Sequence, residues 1–121
     1  KYSQTRSQHG KLIAGHQLIA EKIANMASQI DAARLLTLRA AEMIDRGLRC
    51  DKECAMAKWF STEIAVKACR HAVQIHGGYG YMEEYPVSRY YQGAKLLQIV
   101  EGTSEVQRMI IGRMLAKGSL T

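Results

Sequence analysis

Apolar side chains recur at alternating four- and three-residue steps along the first half of the chain. The positions are Ile19, Ile23, Met26, Ile30, Ala33, Thr37, Ala40 and Ile44. This spacing predicts a helix with one buried stripe, which runs from about Gln17 to Arg46 and ends at Gly47. Because such a helix would be roughly 45 Å long, it needs partner elements to be stable.

A second amphipathic segment follows after a short polar connection. Its apolar positions are Ala57, Phe60, Ile64, Ala68 and Ile75. Asp51 is expected to cap this helix by accepting hydrogen bonds from free N–H groups, and Gly77-Gly78 is expected to end it. Two long helices joined by so few residues must be antiparallel neighbours, which predicts half of an up-down bundle.

The periodicity weakens between Gly77 and Gly102. Glycines at positions 77, 78, 80 and 93 alternate there with tyrosines at 79, 81, 85, 90 and 91, as is typical of a segment rich in loops. Proline is well tolerated in the first turn of a helix. Pro86 is therefore expected to open a short helix through about Ala94.

A last helix is predicted after Thr103 or Ser104, either of which can cap it, and it should run to about Lys117. Its expected buried positions are Val106, Ile110 and Met114, with Met109 beside them. Together the segments predict an all-α fold of the up-down four-helix-bundle type, with residues 1–121 forming a single domain.

Composition agrees with this architecture and narrows the classes of function. The 121 residues are 47% hydrophobic, which is enough for a core, and include a single proline, which favours helices. A formal net charge of +6 would suit nucleic acid, an anionic membrane surface or a phosphate-bearing ligand. The basic residues are scattered among apolar ones, so solvated helix faces are the simpler interpretation. No stretch approaches the roughly 18 apolar residues of a membrane span.

Cysteine and histidine spacing indicates neither a disulfide framework nor a metal site. Cys50, Cys54 and Cys69 are odd in number and form no C-x-x-C pair, which points to a reducing compartment. The four histidines, at positions 9, 16, 71 and 76, do not share one helix face at metal-ligand spacing.

Two stretches could carry chemistry. The run from Gln74 to Tyr81 ends a helix in closely spaced glycines, whose N–H groups could approach a phosphate, although an ordinary helix stop explains them equally well. Glu101 precedes Gly102 and a helix N-terminus, where a carboxylate tends to stay ionised, as a general base must be. A solvated glutamate at a helix start is the other interpretation.

The order and spacing of several short motifs resemble the acyl-CoA dehydrogenase family. These motifs are Arg6-Ser7-Gln8-His9-Gly10-Lys11, Gln17, the stretch from Gln74 to Tyr81, Tyr85-Pro86-Val87, and Val100-Glu101-Gly102-Thr103-Ser104-Glu105-Val106-Gln107-Arg108. The resemblance covers essentially the whole chain and is to the family's C-terminal helical domain, without its N-terminal helical and middle β domains. The chain is then either a fragment of a longer polypeptide or a subunit completed by another chain, and we favour the fragment because Lys1 begins inside what looks like the end of a helix.

The resemblance implies an oxidoreductase of fatty-acid β-oxidation, which converts acyl-CoA to trans-2-enoyl-CoA. Electrons would pass to FAD and then to electron-transferring flavoprotein. Glu101 would be the base that removes the α-proton. The Glu101-Gly102 backbone would contact the substrate, because the N–H of the base polarises the thioester carbonyl.

The resemblance also implies two groups of cofactor-binding residues. The residues that would reach the FAD of a neighbouring subunit are Arg6, Gln17, Gln74, Ile75, His76, Gly77 and Gly78. Those that would contact the FAD of the subunit's own site are Thr103, Ser104 and Glu105. A homo-oligomer, a dimer or a tetramer, follows from this division. The compartment, bacterial cytoplasm or mitochondrial matrix, is not readable from the sequence.

Three departures from the family pattern limit what can be carried over. His9 stands where phenylalanine is most frequent, which puts the packing near the flavin in doubt. Val100 stands where tyrosine commonly precedes the base, so the chain-length preference for the acyl group stays open. Gln92-Gly93 replaces a frequent Arg-Asp pair.

Other functions compatible with the sequence are an acyl-CoA oxidase of the same fold, which passes electrons to oxygen, and a non-catalytic helical assembly domain. A basic bundle that binds nucleic acid would show steep salt dependence and is the weakest alternative.

Overall fold

The computed structural model describes residues 1–118 and shows four α-helices. They are α1 (Gln17–Asp45), α2 (Asp51–His76), α3 (Val87–Leu97) and α4 (Ser104–Ala116). Two short strands, β1 (Ser7–Gln8) and β2 (Lys11–Leu12), precede them, and 3-10 turns occupy Tyr2–Gln4, Ile13–Gly15 and Gly77–Gly80. The prediction of an all-α domain of the four-helix type is confirmed.

The helix α2 is the centre of the fold, because each of the other three helices packs against it. Contacts near each end of α2 show how α3 and α4 divide its length. Tyr85, just before α3, packs on His76 at the C-terminal end of α2, while Lys58 reaches the last carbonyl of α3. The first residue of α4, Ser104, bonds to Glu63. The loop between α3 and α4 therefore lies against the middle of α2.

The side of α1 that faces α2 differs in part from the predicted stripe. Ala33 and Ala40 are buried, as predicted, but Ile23, Ile30 and Ile44 are 38%, 45% and 59% exposed. Because α1 is apolar on more than one side, periodicity could locate a stripe but could not decide which side meets the neighbouring helix.

Local signals placed most helix ends. Gly47 adopts a φ of 67°, its N–H donates to the Ile44 carbonyl, and the following N–H of Leu48 donates to the Met43 carbonyl, as in a left-handed glycine cap. The predicted cap at Asp51 is wrong. Cys50 is the N-cap residue and makes no side-chain cap. The Asp51 carboxylate accepts a 2.8 Å bond from Arg49 Nε instead of capping the helix.

The hairpin at residues 7–12 was not predicted. Its turn places His9 at φ 52° and Gly10 at φ 78°, the two left-handed residues that a tight two-residue turn requires. Two-residue strands are too short for an alternating pattern to reveal them.

The core is built from small side chains. Its buried apolar residues are Ile13, Ala33, Ala40, Ala55, Ala57, Val87 and Ala94, whereas many larger apolar side chains are exposed. Cys50, Cys54 and Cys69 are free thiols. Within residues 1–118, no helix is long and apolar enough to cross a membrane.

Candidate functional site

The loop between α3 and α4 holds Glu101 and Gly102 in a rare backbone conformation. Glu101 has a φ of 55° and Gly102 a φ of 88°. A non-glycine residue at positive φ is uncommon and marks a position that its surroundings must hold in place. The Glu101 side chain is exposed. Its carboxylate forms no hydrogen bond or ion pair with any other described residue.

Two carbonyl groups of this loop accept hydrogen bonds from side chains of α2 and α4. Gln107 Nε2 donates to the Glu101 carbonyl at 3.4 Å and to the Gly102 carbonyl at 3.3 Å, and Lys58 Nζ donates to the Gly102 carbonyl at 2.6 Å. A Cβ on Gly102 would lie 2.6 Å from Gln107 Nε2. The positive φ therefore favours glycine here, and a side chain would also displace the Gln107 amide.

The residues after Gly102 begin α4. Thr103, one of the two predicted candidates, is the N-cap, and its Oγ1 accepts a 3.3 Å bond from the Val106 N–H. A backbone hydrogen bond in this first turn, and the Thr103 hydroxyl, lower the pKa of Glu105. Ser104 is buried and its hydroxyl donates to Glu63 at 2.8 Å, so its side chain faces α2 and not the solvent.

A cavity of about 280 Å³ opens beside this turn, between α2, α3 and α4. Thr103 and Glu105 line it together with two cations, Lys95 and Arg108. Polar side chains of both charges thus surround the space next to two of the predicted contacts with FAD.

The second group of predicted residues lies at the C-terminal end of α2. The Tyr2 and His76 rings stack with centroids 4.1 Å apart, and Tyr79 stacks on Tyr85 at 5.4 Å. Arg6 places its guanidinium 5.2 Å from the Tyr79 ring. The structure therefore brings Arg6 to the turn that follows His76, although the two are far apart in sequence.

This turn leaves room for a ligand. A Cβ on Gly77 or Gly78 would meet nothing within 4 Å, and Gln74 is exposed. Arg6 forms no ion pair with any carboxylate in the described part of the chain. An unpaired guanidinium beside an open glycine turn fits an anion such as a phosphate.

Ile75 and Gln17 flank this group less directly. Ile75 is half-buried on α2 and lines a cavity together with Lys1, Ser3 and His76. Gln17 begins α1 beside the hairpin, since the ring of its neighbour His16 lies 3.1 Å from the Gln8 carbonyl. Gln17 forms no hydrogen bond with the glycine turn in the part of the chain that the structure describes.

The two groups of predicted site residues are separate in the structure. Glu63, beside the start of α4, and His76 are on the same helix, and α2 rises about 20 Å between them. Glu101, Thr103 and Glu105 therefore do not share one pocket with Arg6 and Gly77.

Sequence reasoning missed the two side chains that hold the loop, Lys58 and Gln107. Gln107 is part of the family-like motif, but nothing in the pattern showed that it is buried. Lys58 is distant in sequence from the loop and looked like one more surface cation. Among residues 1–118 there is no cluster of three histidine, cysteine or acidic side chains that could hold a metal ion.

Comparisons with known proteins show which proteins this chain is similar to. The family model for the acyl-CoA dehydrogenase C-terminal domain matches residues 1–116. An acyl-CoA dehydrogenase of Bacillus subtilis is 51% identical over 118 residues, which cover 98% of this chain and 31% of that protein. Subunit CarC of the caffeyl-CoA reductase-Etf complex of Acetobacterium woodii is 49% identical, over 97% of this chain and 31% of that protein.

A solved structure shows the same fold. The FAD complex of PigA superimposes with a TM-score of 0.92 at 30% sequence identity, over 95% of this chain and 30% of that one. The chain thus spans about three-tenths of the length of the curated relatives it matches.

Proposed function

This chain belongs to the acyl-CoA dehydrogenase family, and we propose that in the complete flavoenzyme it supplies the base, Glu101, that removes the α-proton of an acyl-CoA. The observation that carries the proposal is the Glu101-Gly102 loop. The carboxylate of Glu101 is exposed and has no hydrogen-bonding partner among the residues that the structure describes, while its backbone, at positive φ, accepts a hydrogen bond from Gln107. Such strained residues cluster at active sites.

The surroundings of Glu101 suit a base that acts after water is excluded. Leu96, Ile99 and Val100 are 55%, 54% and 38% exposed. An acyl chain or another domain that covers these side chains would desolvate the nearby carboxylate. Desolvation strengthens a base, because the ionised form loses its hydration.

The backbone of the same loop can polarise the thioester. The N–H groups of Glu101, Gly102 and Thr103 donate to no acceptor within residues 1–118. Successive free N–H groups in a turn conformation can form an anion-binding concavity. One of them can therefore stabilise the charge that develops on the thioester oxygen as the α-proton leaves, which is the role expected of the Glu101 N–H.

FAD is the proposed cofactor, and when bound it accepts the β-hydride. The residues that would hold it are Arg6 and the stretch from Gln74 to Gly78 on one side, and Thr103 and Glu105 on the other. The unpaired Arg6 guanidinium and the open glycine turn fit the phosphates of such a ligand. Ser104 would contribute through its backbone, since its hydroxyl bonds to Glu63.

The separation of the two groups supports an oligomer. Because α2 rises about 20 Å between them, one chain is suited to contact two flavins, one of its own and one of a neighbouring subunit. The exposed apolar side chains of α1, among them Ile23, Ile30 and Ile44, offer a surface for that neighbour. The Acetobacterium relative acts in a complex with Etf, and we propose the same class of electron acceptor here.

The proposal is tested with the complete enzyme and the variant Glu101→Gln. The amide keeps the shape of the side chain but cannot accept a proton, so acyl-CoA binding is retained and flavin reduction is slower by about 10²–10⁴-fold. Flavin bleaching in a rapid-mixing experiment measures it. The control is Glu42→Gln, which removes an exposed carboxylate far along the chain, on α1, and is expected to keep the parental rate.

Two results would reject the proposal. If Glu101→Gln reduces its flavin as fast as the parent, Glu101 is not the base. If the complete protein purifies without flavin and does not bind it, the helical assembly domain is the better description. Rapid reoxidation of the reduced flavin by oxygen alone would identify an oxidase of the same fold.

A further inference from the structure

The ammonium group of Lys58 joins the end of one helix to the start of the next. Its Nζ donates to the Leu97 carbonyl at 2.9 Å and to the Gly102 carbonyl at 2.6 Å. Leu97 is the last residue of α3, and Gly102 directly precedes Thr103, the N-cap of α4. One side chain on the central helix thus spans the loop that contains Glu101.

A cation is well suited to this position. The carbonyl groups at the end of a helix lack partners within the helix and carry partial negative charge, which a lysine there offsets. Hydrogen bonds from an ionised donor are also shorter and stronger than neutral ones. Lys58 forms no ion pair with a carboxylate in the part of the chain that the structure describes, so its charge acts on the loop carbonyls.

Fixing the Glu101 and Gly102 carbonyl oxygens also fixes the N–H groups of the residues that follow each of them, Gly102 and Thr103. A peptide unit is planar and trans, so its N–H points opposite to its carbonyl. Lys58 holds the Gly102 carbonyl and thereby directs the Thr103 N–H away from α2. Gln107 does the same for the Gly102 N–H through the Glu101 carbonyl. The left-handed pair Glu101 and Gly102 is therefore held by two side chains.

We propose that Lys58 is a positioning residue for this reaction, a role that rests on the proposed function of Glu101. A positioning residue contacts neither substrate nor cofactor. It anchors the Gly102 carbonyl to α2 and α3, and this anchor keeps the Glu101 carboxylate and the free N–H groups in one fixed arrangement. Without it the loop still carries its base, but the base spends less time in the productive geometry.

The test compares Lys58→Met, Lys58→Gln and Lys58→Arg in the complete, flavin-containing enzyme. Lys67→Met is the matched control, because Lys67 is an exposed lysine on the same helix. Hydrogen exchange of a peptide covering residues 98–104 reports the anchor, and flavin reduction by an acyl-CoA reports its consequence.

Lys58→Met is expected to exchange faster over residues 98–104 and to reduce its flavin about 10- to 100-fold more slowly, since small misplacements of a reacting group have effects of this size. The concentration of acyl-CoA that gives half the maximal rate changes much less, because the anchor does not contact the substrate. Lys58→Arg, which keeps a charged donor, recovers part of the rate, and Lys67→Met behaves like the parent.

Parental exchange and a parental rate in Lys58→Met would overturn the proposal. If that variant does not accumulate as holoenzyme, Lys58→Gln provides the same test, since a neutral amide should give an intermediate loss and a parental rate would overturn the proposal. Should Lys58→Met loosen the loop while Glu101→Gln stays fully active, the anchor is supported and the role of Glu101 is rejected.

Discussion

Replacement of Gly102 by alanine perturbs the Glu101-Gly102 loop by adding a single carbon atom. Gly102 has a φ of 88°, and the added Cβ would lie 2.6 Å from Gln107 Nε2, so the Gln107 side chain has to move. Its movement would break the bonds to the Glu101 and Gly102 carbonyls. The substitution therefore combines backbone strain with the loss of one anchor of the loop.

The expected size of the effect follows from these two parts. A left-handed conformation costs a residue with a Cβ roughly 1–2 kcal/mol. Each lost hydrogen bond costs about 1 kcal/mol more, although the two here are long and share one donor. We expect a loss of about 2–4 kcal/mol in the free energy of unfolding of this domain.

Thermal unfolding of the complete flavoenzyme measures this loss as a lower Tm. Gly93→Ala in α3 and Gly112→Ala in α4 are controls of the same chemical size. A Cβ at either position meets nothing within 4 Å among the described residues, and alanine inside a helix stabilises it by about 0.5–1 kcal/mol. The two classes of glycine should thus shift Tm in opposite directions. A Gly102→Ala enzyme whose Tm equals or exceeds that of the parent would refute the strain argument.

Two further predictions concern the groups expected to meet the cofactor. The pKa of Glu105 is lowered in the folded protein, so the contribution of its carboxylate to stability is present above the ordinary carboxyl pKa near 4.5 and is lost as the pH falls through the lower folded pKa. Glu105→Gln should therefore flatten the pH dependence of the free energy of unfolding below pH 4.5. The same pH dependence in the variant and the parent over this acidic range would contradict this. Arg6→Ala should lower the ratio of flavin to protein in the purified complete enzyme, while Arg113→Ala, on the other end of the domain, should not; equal flavin content in both would contradict the assignment of Arg6.

Local signals in the sequence predicted local structure well. A glycine after a long apolar period placed the end of α1, and a threonine before an apolar period placed the start of α4, because both effects act within a few residues. The predicted cap at Asp51 was wrong, because the neighbouring Arg49 offers the carboxylate a competing partner.

What the sequence could not supply were contacts between distant residues. Which side of α1 is buried depends on where α2 lies, and a helix that is apolar on several sides does not determine this by itself. The role of Lys58 depends on two backbone carbonyls far along the chain, and carbonyl groups have no residue-specific signature. The candidate base was found through motif resemblance, while the side chains that hold it emerged only from the three-dimensional contacts.

The long helix α1 has a practical consequence for how this protein can be dissected. Among the helices α2 to α4, only α2 packs extensively against it within the described residues, and α1 leaves leucine side chains such as Leu18, Leu35 and Leu38 exposed. Expressed by itself, the domain would expose this apolar surface to chaperones and would tend to aggregate into inclusion bodies. The free energy of unfolding of the isolated domain would depend on the concentration of any partner that covers these leucine side chains. Measurements on the Glu101-Gly102 loop should therefore use the complete enzyme.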